Sequence, residues 1–139
     1  MRGAIMVAAL TAVTGTIGAA QDGRLTVELN KFEDGAEGEG CRAFFLFRND
    51  TGAAFEGFEM SLAILDPQGV IDRLLTIDAA PLPADRTTLK LFEIPQTACA
   101  DISEVLLHDV SSCKPQNATE ADCFALMDLA SRTPAPLVK

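Results

Sequence analysis

The sequence predicts a mainly β domain, a β-sandwich of about six strands with a short C-terminal helix and two disulfides. Three observations predict it. Short segments alternate apolar and polar side chains between clusters of turn residues. Four cysteines follow a segment laid out like a secretory leader. Finally, Cys99 to Cys113, C-A-D-I-S-E-V-L-L-H-D-V-S-S-C, is a β-branched and Leu-rich run with a cysteine at each end, which marks a central strand tied at both ends to other parts of the fold.

A chain of 139 residues is long enough for one core and too short for two. At 48% hydrophobic and 22% charged residues it is not disordered, and without Trp or Tyr its core must rest on eight Phe with Leu, Ile and Val. Some apolar residues lie outside that core. Residues 1–20 show one basic residue, Arg2, an apolar run from about Ala4 to Ile17, and then the small residues Gly18, Ala19 and Ala20 before Gln21. This is the layout of a signal peptide cut after Ala20, and the run is short of the roughly 20 apolar residues of a stable membrane span. Without a twin arginine it favours the general secretion route over the route for folded proteins. The expected organisation is therefore a signal over residues 1–20, one domain over 21–132 and an extended tail over 133–139.

Loss of Arg2 with the leader leaves 10 basic residues against 20 acidic ones. Such a surface repels nucleic acid and anionic headgroups and favours solubility or a basic partner.

The elements follow in order. Leu25, Val27 and Leu29 alternate with Thr26, Glu28 and Asn30, a half-buried strand over Leu25 to Phe32. The stretch Glu33 to Gly40 interleaves glycine and carboxylates but lacks the carboxylate order of a calcium loop, and reads as a solvated connection. In the second strand, Cys41 to Arg48, the core face is Cys41, Ala43, Phe45 and Phe47. Asn49-Asp50-Thr51-Gly52 makes a turn with Gly where a positive φ is needed. The third strand, about Glu56 to Leu65, aligns Phe58, Met60, Leu62 and Ile64. Asp66-Pro67-Gln68-Gly69 turns it into a fourth, Val70 to Ile77, so that the first four strands suggest a meander. Ala79 to Asp85 carries two prolines and is a crossover, Thr87 to Ile94 is a fifth strand, and Ile102 to Val110, apolar on both parities, is the sixth. Thr119 followed by Asp122 suggests a helix cap, and Phe124, Met127 and Leu126 or Ala130 suggest helical spacing from Ala121 to Ala130.

Four cysteines allow three pairings. If strand directions alternate, Cys41 and Cys99 stand at one end of the domain, while Cys113 leaves the sixth strand at the other end, near Cys123. Cys41 with Cys99 and Cys113 with Cys123 is therefore the expected set, worth about 4 and about 3 kcal/mol in the loop-entropy account. A redox pair would want C-x-x-C, which is absent.

Few residues point to chemistry. His108 is the only histidine, no serine sits in a nucleophile elbow, and no phosphate loop or metal-ligand spacing occurs. No cofactor or metal is therefore expected. Asn117-Ala118-Thr119 matches the glycosylation sequon, a chance match in a bacterial envelope protein. Leu137 and Val138, at the end of a proline-stiffened tail, have no evident core role; they can pack back on the sandwich or dock on another protein, and partner contact is the expectation.

The motifs C-R-A-F-F from Cys41, L-P-A-x-x-T-x-L-K-L-F-x-I from Leu82 to Ile94 and C-x-x-I-x-x-V-L-L-x-D-V-x-x-C from Cys99 to Cys113 resemble a family of small secreted alphaproteobacterial proteins. The resemblance covers nearly the whole mature chain. Members often carry a twin-arginine signal, from which this chain departs, and tend to be encoded near ExbB/TolQ-type proton-channel proteins. The resemblance implies a periplasmic location and an envelope partner, and carries over no catalytic residue. Separately, N-D-T-G before the third strand and D-P-Q-G after it resemble the strand and turn layout of immunoglobulin-like periplasmic modules. The expected function is a non-enzymatic periplasmic accessory or protein-binding module. The alternative is a metal-binding or thiol-redox protein using His108, with a Met such as Met60, or the cysteines.

Overall fold

The computed structural model describes Gly3 and residues 23–139. The leader, apart from Gly3, and its cleavage point at Gln21 lie outside the described residues.

The described chain is mainly β, with strands β1 (Leu25–Asp34), β2 (Gly40–Asn49), β3 (Phe55–Leu65), β4 (Ile71–Asp78), β5 (Arg86–Pro95), β6 (Glu104–Pro115), β7 (Met127–Ser131) and β8 (Leu137–Val138). They form two four-stranded sheets, ordered β5-β2-β1-β7 and β4-β3-β6-β8. The alternation that predicts each strand also sets its buried face. Leu25, Val27 and Leu29 are buried on β1, Cys41, Ala43, Phe45 and Phe47 on β2, and Phe58, Met60, Leu62 and Ile64 on β3. Residues from both sheets belong to one apolar core, in which the Phe47 and Phe58 rings meet edge to face across the sheets at 6.4 Å.

The first four strands are not a meander. β1 and β2 form an antiparallel hairpin in one sheet, and β3 and β4 form another in the second sheet. The chain changes sheets between Asn49 and Phe55, and one residue holds that corner. Asn49 is 1% exposed. Its Nδ2 donates to the carbonyls of Ala53 (2.8 Å), Pro83 (3.1 Å) and Leu82 (3.3 Å), and its Oδ1 accepts from the Thr51 amide and hydroxyl. A buried amide is tolerated because each of its polar atoms is bonded. Gly52 takes φ +80°, as the turn reading requires. Gly40 is needed for a different reason. Its φ is +122°, and a Cβ there would stand 2.6 Å from the Ile94 carbonyl oxygen of the neighbouring strand.

The C-terminal helix does not form. Phe124–Leu126 is a single 3-10 turn, and Met127–Ser131 continues as β7, parallel to β1 with Met127 opposite Leu25. An isolated helix of ten residues is marginal. The free edge of β1 instead offers a ladder, while the Cys113–Cys123 bridge and the Ala121 amide on the Cys113 carbonyl (2.8 Å) hold the segment beside it. Met127 is fully buried as a result.

The tail is likewise part of the sheet. Leu137 pairs with Val105 and is 6% exposed, Ala135 is 1% exposed, and the Val105 amide donates to the Pro136 carbonyl at 2.9 Å. Lys139 Nζ reaches the Met127 carbonyl at 2.6 Å. The expectation that Leu137 lacks a core role is therefore corrected: it fills the core edge beside β6, and of the pair only Val138 is part-exposed.

Both cysteine pairs form as the strand directions suggest, Cys41–Cys99 with Cα atoms 4.9 Å apart and Cys113–Cys123 at 6.1 Å. Each joins one sheet, or a segment leading into it, to the other. Two disulfides in a small β domain fit an extracytoplasmic location.

Candidate interaction site

β4 and β5 are the two edge strands on one side of the molecule. The crossover over residues 79–85 joins them, and a bond from the Thr97 hydroxyl to Asp72 Oδ2 (2.9 Å) ties the end of one to the start of the other. No ladder runs between them. Leu75 and Ile77 of β4 and Phe92 and Ile94 of β5 line one apolar gap between the sheets that is too narrow for a water molecule.

The large apolar side chains most exposed among the described residues all sit on these strands or next to them: Val70 and Ile71 at the entry to β4, Leu74 on it, and Leu89 and Leu91 on β5. Leu89 and Leu91, 60% and 48% exposed, lie on the outward face opposite Leu46 and Phe44 of β2, which are half-buried on that face. Leu74, 68% exposed, continues outward across Ala63 and Leu106 to Val138. Period-two alternation on an edge strand normally puts polar groups on the solvent face; here that face carries Leu89 and Leu91 between Thr87 and Glu93 on β5, and Leu74 beside Thr76 on β4. Leu89 and Leu91 on the outer face of one sheet and Leu74 on the outer face of the other leave exposed apolar area beside each of the two unpaired edges.

Charges of both signs surround it on either sheet, the β4 sheet adding Arg73 and Lys114 to its carboxylates. The outward face of the β5 sheet carries Arg42, Arg48 and Lys31 among its carboxylates. Its one buried charge is Glu28, which accepts from Asn30 Nδ2 at 2.7 Å and lies 3.3 Å from Arg132 and 4.0 Å from Arg48. The Asn30 bond, with the two arginines, holds the Glu28 carboxyl below its ordinary range despite burial. The acidic residues on the other sheet include Glu56, Glu59, Asp72, Asp78, Glu104 and Asp109.

The remaining sequence candidates are scattered. His108 is the extra residue of a bulge on β6 and is exposed, whereas Met60 is buried in the core, so the two do not form a ligand pair. Among the described residues no group of three or more His, Cys, Asp or Glu is placed to hold a metal ion. Cys41, Cys99, Cys113 and Cys123 are all in disulfides. The Glu33 to Glu39 loop makes a one-turn 3-10 element and closes through the Gly35 amide on the Gly40 carbonyl. Asn117 is at φ +60° in a turn, and Glu120, beside the expected cap Thr119, binds the Cys113 amide. No helix of the described residues is long and apolar enough to cross a membrane.

Comparison with known proteins gives the fold and little more. No family model matches the chain, and no curated protein is significantly similar to it. A solved structure of IrmA from Escherichia coli is similar in fold, with a TM-score of 0.57 and 12% identity over 76% of this chain and 90% of that one. At that identity the likeness shows a shared small β architecture.

Proposed function

We propose that this chain is a non-enzymatic accessory module of the periplasm that binds another envelope protein through the side of the domain formed by β4 and β5. One observation carries the reading: among the described residues the strongly exposed large apolar side chains lie on two unpaired edge strands or directly beside one, where a partner gains both apolar contact and backbone hydrogen bonds. The leader-like residues 1–20 and the two disulfides support export by the general secretion route. The two facing sheets support an immunoglobulin-like sandwich, a scaffold that displays edges and loops and needs no reactive group. The resemblance of the Cys41, Leu82 to Ile94 and Cys99 to Cys113 motifs makes an ExbB/TolQ-type system the first place to seek the partner.

The test is in-cell crosslinking of the tagged chain, comparing wild type with a variant carrying Leu74→Asp and Leu89→Asp. Both side chains are exposed, so the variant should fold. Recovery of a defined envelope protein by the wild type, and its loss in the variant, is the expected result. Recovery of no envelope protein by the wild type removes the reading, and equal recovery by both moves the contact away from this side.

A further inference from the structure

We infer that the β5 edge accepts an extended segment that alternates apolar and acidic residues, adding it to the sheet as an outer strand. The inference rests on the binding role just proposed and names its edge and its ligand chemistry.

β5 presents two different faces along its free edge. Outward are Leu89 and Leu91. On the other parity are Arg86, Thr88 and Lys90. Arg86 and Lys90 form no ion pair among the described residues; Lys90 Nζ has only the Ala80 carbonyl oxygen, at 3.4 Å. Between them the Thr88 hydroxyl is buried and without a hydrogen-bond partner. Two unneutralised cations and an unbonded hydroxyl on one face of an unpaired strand are polar groups left without a match.

Residues directly opposite in an antiparallel pair share a face, with Cβ atoms about 5 Å apart. A strand laid on β5 with apolar residues opposite Leu89 and Leu91 therefore places its intervening residues opposite Thr88 and Lys90. A carboxylate opposite Lys90 would meet that cation directly with Thr88 on the diagonal, and one opposite Thr88 would have both Arg86 and Lys90 on its diagonals. An alternating apolar and acidic segment satisfies both faces at once.

A second copy of this chain does not do so through its own β5 or β4 edge. The Lys90 face of β5 holds Arg86, Thr88, Lys90, Phe92 and Ile94, with no carboxylate, so pairing β5 with itself in any register that keeps the leucines together leaves Lys90 facing a cation, a hydroxyl or an apolar group. The β4 edge supplies none either, since the face opposite Leu74 carries Arg73, Leu75 and Ile77. An inward-facing cation on an edge strand is a common defence against self-association. Here it also sets the charge of what is admitted.

The experiment titrates the purified mature protein into fluorescein-labelled heptapeptides, one alternating leucine with glutamate and one leucine with lysine, and reads anisotropy. The Leu/Glu peptide should bind at least about tenfold more tightly, which corresponds to about 1.4 kcal/mol. Lys90→Glu should reverse that order, Leu91→Asp should weaken Leu/Glu binding about tenfold, and Leu74→Asp on the other edge should leave it unchanged. Melting curves of the variants close to wild type exclude misfolding as the cause. The inference is overturned if the Leu/Glu peptide does not bind, if Lys90→Glu keeps the wild-type preference, or if Leu74→Asp rather than Leu91→Asp removes binding. It is also overturned if the protein alone sediments as a dimer that Leu91→Asp dissociates, since a second copy then fills the edge. An envelope partner lost with Leu74→Asp alone and retained with Leu91→Asp overturns the inference while leaving the binding role standing. Absence of any envelope partner overturns the binding role itself.

Discussion

Truncating Leu137 separates a structural tail from a docking tail. In an exposed tail, Leu137→Ala and Val138→Ala would both be nearly silent toward stability. Leu137, however, is 6% exposed and pairs with Val105, whereas Val138 is part-exposed on the opposite parity. Leucine to alanine in a core costs about 2–5 kcal/mol, and a site at the rim, where neighbours can relax, belongs near the low end at about 2–3. Val138→Ala should cost less than about 1 kcal/mol. For a domain of this size each kcal/mol lowers the melting temperature by roughly 3–6 °C, so the two variants should differ by several degrees. Removing residues 133–139 takes away Leu137, the buried Ala135, the Pro136 carbonyl that receives the Val105 amide, and the Ala135 carbonyl that receives the Ser131 hydroxyl at 2.6 Å. That loss is at least about 4 kcal/mol against a total stability of about 5–15, so the truncated protein should be severely destabilised. Urea unfolding followed by far-UV circular dichroism gives each value. Equal midpoints for Leu137→Ala and Val138→Ala, or a truncated protein as stable as the full one, would refute the reasoning.

Asn49→Asp keeps the shape but removes the donor to the Ala53, Leu82 and Pro83 carbonyls and buries a carboxylate beside them; a loss of about 3 kcal/mol or more in chemical denaturation is expected. Replacing Cys41 and Cys99 by serine should cost about 4 kcal/mol and replacing Cys113 and Cys123 about 3, with the ordering read from urea midpoints. Glu28 has a folded-state pKa below its unfolded value, so its contribution is present above the unfolded pKa and fades as pH falls through the folded one. The stability gap between wild type and Glu28→Gln should accordingly be widest near neutral pH and close in acid; a gap that grows on acidification contradicts the ion cluster.

The sequence made legible whatever depended on period two and on cysteine placement. The core faces of β1, β2 and β3 follow from alternation alone, because burying one face of a sheet admits only one parity. The disulfide pairing follows from strand direction. The exchange of sheets at Asn49 was not legible, because asparagine in a turn gives no sign that its side chain will bond carbonyls more than 30 residues away. Met127 to Ser131 was ambiguous for a different reason: Phe124, Met127 and Ala130 fit a helix, Met127 and Leu129 fit a strand, and only the open edge of β1 decides. For the candidate site, Leu89 and Leu91 could be read as members of a strand, but which parity faces out depends on the sheet they join. Their separation from the core face occupied by Phe92 and Ile94 becomes visible only once β5 stands at an edge.

The Cys41–Cys99 bridge spans a sequence separation of 58, and β3, β4 and β5 all lie within that span. Covalently, this stretch is a closed ring with the N-terminal strand and the C-terminal segments attached as arms. A protease that cuts one exposed turn of the ring, at Pro67 to Gly69 for instance, opens the loop without releasing a fragment, because both halves remain joined through the sulfurs. Cleavage in an arm shortens it without touching the ring, except between Cys113 and Cys123, where the second bridge holds the two pieces together. The surface with the exposed leucines thus lies in a part of the molecule that a single cut cannot detach.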